Sequence, residues 1–319
     1  MKKRSLMKFG VFLHPYSVTY KQIMRAAVYA EKLGFNSIWI PDHLQREQKP
    51  VVECWSTICA LAAITRRIRI GSLATCNSFR NPSLLARIVS TASDISSGRV
   101  DITLGLGYDK IEHIANGYIF PSYKDRLLAL SESVHILDSL LTNGKSTFHG
   151  RFFKMDSALN AIKPKLKLKV WLAGRNEQVL RLAATKAYGA SILPYSGIYD
   201  DRRLSSLDEL TKICGLLDSF ARGKIVPRSI FGGDGGTLLG SDESDYSKRL
   251  GRYARWNRQE VKEATRSLEN LSLVHGTVEK CSETIFRLSS MHFEEMVLYF
   301  PGWQGGDYSN MELFAKEFL

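Results

Sequence analysis

The sequence has few of the features that mark disulfide-bonded or zinc-binding proteins. Five of its 319 residues are cysteines, namely Cys54, Cys59, Cys76, Cys214 and Cys281. Because their number is odd and no two form a CxxC pair, we expect neither a disulfide framework nor a metal site. A reducing cytoplasm is the simplest compartment for such a chain.

Long hydrophobic runs are also missing. No apolar stretch approaches the roughly 20 residues that a membrane-spanning helix needs. The basic start, residues 1–4, is not followed by the apolar core of a signal peptide. We therefore expect a cytoplasmic protein with no membrane partner.

The sequence motifs of several large enzyme classes are absent. The chain has no GxSxG, HExxH or P-loop pattern, and no GxGxxG turn follows its first predicted strand. Its net charge of +12 fits a basic solvent-exposed surface, an anionic ligand or coenzyme, or nucleic acid. Since no compact basic module or known nucleic-acid motif is present, nucleic acid is the least favoured of these partners.

Short apolar strands alternate with amphipathic helices through most of the chain. About eight such repeats without a long linker predict one closed (β/α)8 TIM barrel, a single α/β domain over residues 1–319. An open doubly wound sheet is the alternative. The predicted strands are residues 8–13, 37–40, 67–75, 99–106, 169–172, 190–193, 225–231 and 295–300. The predicted helices are residues 20–33, 54–64, 82–95, 123–141, 177–187, 204–220, 242–271 and 278–290.

Two stretches interrupt this alternation. Residues 142–167 predict a hairpin or another excursion from the barrel. Residues 232–246 contain the sequence GGDGG, which is typical of a flexible connector. Long loops in a compact domain are also often functional, so both interpretations of this segment stay open.

The segment GFNSIWIPDH, residues 34–43, contains the first candidate for catalysis. Residues 37–40 predict a buried strand, and Pro41 ends it because proline cannot continue a strand ladder. Asp42 and His43 then follow the carboxyl end of the strand, where parallel α/β folds bind their ligands. A histidine side chain can donate or accept a proton near neutrality, although His43 could equally be a hydrogen-bonded loop residue.

Three further loops follow predicted strands. Residues 71–82, GSLATCNSFRNP, have small side chains that would let the backbone approach a flat ligand, with Asn77 and Arg80 as donors. Gly105 and Gly107 form a glycine turn after the fourth strand. Residues 174–176 could hold a phosphate at a helix N-terminus, or Asn176 could simply cap that helix.

In this order, the motifs resemble those of the bacterial-luciferase-like superfamily of flavoenzymes. The similarity is greatest to its branch that uses the deazaflavin coenzyme F420, and includes the methylene-tetrahydromethanopterin reductases. It is clear over residues 7–200 and weak in the C-terminal third. The motifs are residues 9–15, 34–43, 70–82, 96–107 and 170–193.

The resemblance implies a ring-binding site at the carboxyl ends of the barrel strands. It places a non-prolyl cis peptide bond between Leu73 and Ala74, with the coenzyme ring packed against it. It also places His43 near the redox centre, with Asp42 beside it, as catalytic residues. The residues that it assigns to coenzyme binding are Leu73, Ala74, Thr75, Asn77, Gly107, Gly174, Ala190 and Ser191.

The function that the resemblance implies is an F420-dependent oxidoreductase. Such an enzyme would move a hydride between the deazaflavin and a small organic or pterin-carried one-carbon substrate, and it would be a homodimer. The alternatives are a luciferase-like monooxygenase that uses reduced FMN and oxygen, and a non-catalytic flavin-binding protein. We expect the substrate to contact the loops after Leu106, Leu193 and Phe231.

Two departures from the family pattern bear on the reaction. The reductases carry an acid in the first strand, where this chain has Phe12, and one glycine is missing before Asp109. The sugar-phosphate and alcohol dehydrogenases of the branch pair the histidine with a glutamate after the fourth strand. In this chain that role could fall to Asp109 or to Glu112.

Overall fold

A computed structural model describes residues 7–46, 49–160, 162, 168–196 and 202–319. Eight parallel strands form a closed barrel in which each strand pairs with its neighbours in sequence and the last pairs with the first. The (β/α)8 prediction is therefore confirmed, and the open sheet is excluded. The barrel strands are β1 (Lys8–Phe12), β2 (Ser37–Ile40), β3 (Arg69–Cys76), β4 (Val100–Gly105), β5 (Val170–Ala173), β6 (Gly189–Ile192), β7 (Arg228–Phe231) and β8 (Glu295–Tyr299).

Helices surround the barrel, and local signals set several of their ends. Thr19 and Gln22 form a capping box at the start of α1, and Gly34 ends it in the left-handed conformation. Across the described ranges, no helix has both the length and the apolar character needed to cross a membrane. The helices are α1 (Tyr20–Leu33), α2 (Cys54–Ile64), α3 (Pro82–Ile95), α4 (Lys110–Ala115), α5 (Tyr123–Asn143), α6 (Glu177–Lys186), α7 (Leu207–Phe220), α8 (Glu243–Trp256), α9 (Val261–Leu271), α10 (Val278–Ser289) and α11 (Ser309–Phe318).

The prediction of one helix over residues 242–271 is wrong. The structure has two helices there, α8 and α9, with Arg258 between them at a φ of 54°. A left-handed residue cannot continue a right-handed helix, so the chain turns at this point. Glu260 and Glu263 then form the capping box that starts α9.

The predicted excursion after α5 is a hairpin, as expected. Lys145–His149 pairs antiparallel with Lys154–Leu159. The buried carboxylate of Glu132 on α5 accepts hydrogen bonds from the backbone of the hairpin tip, residues 151–153, at 2.8 to 3.0 Å. Of the predicted excursion, residues 161 and 163–167 lie outside the described part of the chain.

The barrel interior is filled around Trp39. This side chain is buried, and its indole Nε1 donates to the hydroxyl of Ser37 at 2.7 Å. The neighbouring strands give it room with glycines, since a Cβ on Gly71 would lie 2.5 Å from the Trp39 ring and one on Gly10 would lie 2.9 Å from Nε1. The interior is thus a packed core, and ligands can enter only at its ends.

Gly71→Ala should test this packing. The added methyl would collide with Trp39 and with the carbonyl of Asp101, so we expect the free energy of unfolding to fall by about 1–3 kcal/mol. Gly215→Ala is the matched control, because this exposed glycine of α7 has no neighbouring atom within 4 Å. It should be neutral or stabilising by up to about 1 kcal/mol, because alanine favours a helix. Urea denaturation measures both, and equal effects would contradict the packing account.

Candidate functional site

A cleft of about 610 Å³ opens at the carboxyl ends of the barrel strands. This volume is in the usual range for small-molecule sites. Leu73 and Ala74, near the end of β3, both line it. The peptide bond between them is cis, as the family resemblance predicts.

Glycines bring the backbone close to the cleft beside this bond. Gly107 has a φ of 74°, and a Cβ there would lie 2.7 Å from the sulfur of Cys76. A Cβ on Gly105 would lie 3.2 Å from the Cβ of Ala74. A larger residue at either position would fill part of the cleft or displace its wall. The two glycines therefore let a flat ligand reach Leu73 and Ala74.

His43 and Glu112 form the central polar pair of the cleft. His43 Nδ1 lies 3.0 Å from Oε2 of Glu112, and the carboxylate is almost fully buried. Since a carboxylate only accepts hydrogen bonds, Nδ1 is the protonated nitrogen of a neutral His43, and Nε2 keeps its lone pair. This arrangement suits proton transfer at Nε2.

Glu112 is positioned by its own helix and by the loop that carries His43. The backbone N–H groups of Leu44 and Gln45 donate to its Oε1, at 2.5 and 3.2 Å. The side chain of Asp109 instead caps α4 by accepting from the backbone N–H of Glu112 at 2.9 Å. Of the two acids that the sequence left open, the structure therefore brings Glu112 to His43.

Asp42 lies beside His43 in the chain but faces other partners. Its two carboxylate oxygens accept from the guanidinium of Arg80, at 2.5 and 3.0 Å, and from the backbone N–H of Cys76 at 3.0 Å. Burial raises the pKa of Asp42, against the hydrogen bonds from Arg80. This geometry favours a role in holding the loops of β2 and β3 together over the catalytic role that the sequence predicts.

The loop after β5 forms part of the cleft wall. Gly174, Arg175 and Asn176 all line it. Asn176 is the N-cap residue of α6, as expected, yet its side chain makes no capping hydrogen bond. The side chain of Asn176 therefore leaves the backbone N–H groups of the first turn of α6 open to another acceptor.

Four residues that the resemblance assigns to coenzyme binding lie outside the cleft lining. They belong to the barrel wall or to loop packing, and their assignment to the coenzyme stays a prediction. The hydroxyl of Thr75 bonds to Trp55 and Ser72, and that of Ser191 accepts from Ser229. The four residues, all buried, are Thr75, Asn77, Ala190 and Ser191.

The structure adds site residues that sequence reasoning missed. They belong to the ends of strands or to the loops after them, and strand position is the one sequence signal that could have found them. The predicted substrate loops after Leu106, Leu193 and Phe231 do reach the cleft. The GGDGG segment contributes Asp234, which favours the functional interpretation of this loop over that of a simple connector. The added residues are His14, Tyr16, Arg46, Tyr108, Arg202 and Asp234.

Comparison with known proteins identifies this architecture. The sequence profile of the family described as luciferase-like monooxygenase matches residues 5–204, more than half of the chain. The chain belongs to the luciferase-like monooxygenase family. The profile match ends before β7, whereas the barrel extends to β8.

Curated relatives are similar to this chain over part of its length. An F420-dependent glucose-6-phosphate dehydrogenase of Amycolatopsis mediterranei is 27% identical in an alignment of 197 residues that covers 59% of this chain and 59% of the relative. The same enzyme of Microbacterium testaceum is 25% identical over 213 residues, covering 64% of this chain and 62% of the relative. The chain thus matches less than two thirds of the length of these relatives.

Solved structures resemble nearly the whole chain. An F420-dependent secondary alcohol dehydrogenase, solved with an F420–acetone adduct, has a TM-score of 0.77 at 19% identity and covers 97% of both chains. The F420-dependent tetrahydromethanopterin reductase of Methanopyrus kandleri has a TM-score of 0.76 at 18% identity, covering 98% of both. A monooxygenase of Streptomyces bottropensis has a TM-score of 0.75, also at 18% identity and 98% coverage. These likenesses establish the common barrel.

Arg80→Met tests the role of the Asp42 ion pair. Removing the guanidinium leaves a buried carboxylate without its main partner, so we expect the free energy of unfolding to fall by about 3–5 kcal/mol. Adding Asp42→Asn should recover part of this loss, because the uncompensated charge is then gone. Arg25→Met, on the exposed surface of α1, is the control and should change stability by at most about 0.5 kcal/mol. A double variant no more stable than Arg80→Met would contradict the account.

Proposed function

We propose that this chain is an F420-dependent oxidoreductase that moves a hydride between the deazaflavin and a small organic substrate. The observation that carries the proposal is the contact between His43 and Glu112 in the cleft that Leu73 and Ala74 line. The choice of coenzyme is supported by the sequence relatives, which are named as F420-dependent dehydrogenases.

The residues of the cleft fit such a coenzyme. Leu73, Ala74 and Gly107 would contact its ring, because all three line the cleft and Gly107 has no side chain to block the approach. The N-terminus of α6, with Arg175 next to it, would hold the phosphate of its side arm through backbone N–H groups. When bound, the deazaflavin supplies the carbon that accepts or donates the hydride.

His43 would move the proton that accompanies the hydride. Its Nδ1–H is committed to Glu112, so Nε2 can accept the proton of a substrate hydroxyl and return it in the reverse reaction. Glu112 would stabilise the imidazolium that forms, since its carboxylate is buried and already oriented by two backbone N–H groups. A non-catalytic flavin-binding protein would have no need of this pair.

The coenzyme choice can be tested by titration of the purified protein. We expect F420 to bind at least about tenfold more tightly than FMN, as measured by quenching of coenzyme fluorescence. Gly107→Val should weaken binding, because its side chain would enter the space beside Cys76, whereas Gly215→Ala should leave it unchanged. Tighter binding of FMN than of F420 would favour the monooxygenase alternative and contradict the proposal.

The role of His43 can be tested with a substrate found by screening alcohols and sugars. We expect His43→Ala to lower kcat by about 10²–10⁴-fold, the usual contribution of a general acid or base. Glu112→Gln should also lower kcat, because the amide does not stabilise an imidazolium. Both variants should bind F420 normally. His149→Ala, at an exposed histidine of the hairpin, is the control. Full turnover by His43→Ala would exclude it as the proton-transfer group.

A further inference from the structure

A second polar group lies in the cleft beyond the pair of His43 and Glu112. We call it the distal cluster and define it as His14, Arg202 and Asp234, all of which line the cleft. His14 follows β1, and Asp234 lies in the GGDGG loop after β7. Arg202 donates to the Asp234 carboxylate, whose other oxygen lies 4.0 Å from Nε2 of His14. The proton-transfer chemistry proposed for His43 makes no use of this cluster.

His14 is the unusual member of the distal cluster. Its Nδ1 is buried without a hydrogen-bond partner among the described residues. The ring is enclosed by Phe12 and Tyr299, with centroid separations of 4.8 and 4.4 Å. Burial lowers the pKa of His14 to about 4, so the ring is neutral near pH 7 and can donate one hydrogen bond and accept another. Because His14 lines the cleft, its imidazole can contact a bound ligand.

The distal cluster contains a carboxylate as well as a cation. Arg202 pairs with Asp234, and Arg46 donates to the hydroxyl of Tyr108 at 3.0 Å. Sites for phosphate groups normally offer cationic donors without a competing carboxylate. Because Asp234 would repel a phosphate, this end of the cleft favours an uncharged molecule that has hydroxyl groups.

Tyr16 connects the two polar groups of the cleft. Its ring lies 5.3 Å from the ring of His14 and 5.8 Å from that of His43, measured between centroids. A molecule packed on Tyr16 could therefore place one hydroxyl at His43 and another at the distal cluster. Two contacts of this kind would select a substrate with several hydroxyl groups over a simple alcohol.

We propose that the distal cluster binds a second hydroxyl of the substrate, and that the substrate is an uncharged polyhydroxylated compound. The hydroxyl would donate to the Asp234 carboxylate and contact the neutral imidazole of His14. The proposal rests on the proposed function for the position of the reacting hydroxyl at His43. The ligand chemistry of the distal cluster can nevertheless be tested without coenzyme or turnover.

Calorimetric titration tests the ligand class with three probes. These are glucose as the neutral polyol, cyclohexanol as the simple alcohol, and glucose 6-phosphate as the anion. Each is titrated into the coenzyme-free protein and into protein mixed with F420. We expect glucose to bind at least tenfold more tightly than either of the others. Tightest binding of glucose 6-phosphate or cyclohexanol, or no binding of glucose, would overturn the proposal. Failure of F420 to bind would count against the proposed function alone.

Two substitutions test the residues. His14→Phe keeps an aromatic ring but removes both nitrogens, so it should lower glucose affinity about tenfold and leave cyclohexanol binding unchanged. His149→Phe, in the exposed hairpin, is the matched control and should change neither. Asp234→Asn should reduce the preference for glucose over glucose 6-phosphate, because the carboxylate that repels phosphate is gone. Unaltered glucose binding in both cluster variants, or an equal loss for glucose and cyclohexanol, would overturn the assignment.

Discussion

The pairing of the first barrel strand with the last is the constraint on which the rest of the structure depends. Lys8–Phe12 aligns with Glu295–Tyr299 in parallel register, and this closes the barrel. Closure brings the carboxyl end of β1 against strands from the C-terminal third, so that Phe12 packs on Phe231 with ring centroids 4.6 Å apart. The wall of the cleft that contains the distal cluster is built along this seam.

Buried hydrogen bonds fix the positions of two acidic side chains in the cleft. The carboxylates of Asp42 and Glu112 are both buried, and each accepts from backbone N–H groups as well as from a side chain. Because unpaired carboxylates are costly to bury, such partners fix the loops that carry them. The two acids thereby acquire different roles, since Asp42 joins two loops through Arg80 whereas Glu112 orients His43.

Local sequence patterns predicted the barrel but not all of its additions. The four residues of β2 are all buried, and Pro41 follows them. Both the strand and its end could therefore be predicted from the sequence. The six-residue helix α4 was not predicted, because it is too short to show helical periodicity. The break at Arg258 was also missed, since its left-handed conformation depends on how α8 and α9 pack together.

The sequence by itself determined the alternation of strands and helices, the family, and the placement of His43 beyond the end of β2. These depend on residue order and local periodicity, which a single chain displays directly. Only the tertiary structure decided that Glu112 rather than Asp109 meets His43, and that Asp234 lies near His14. Contacts between residues so far apart in sequence depend on barrel closure and loop packing, and local patterns do not encode them.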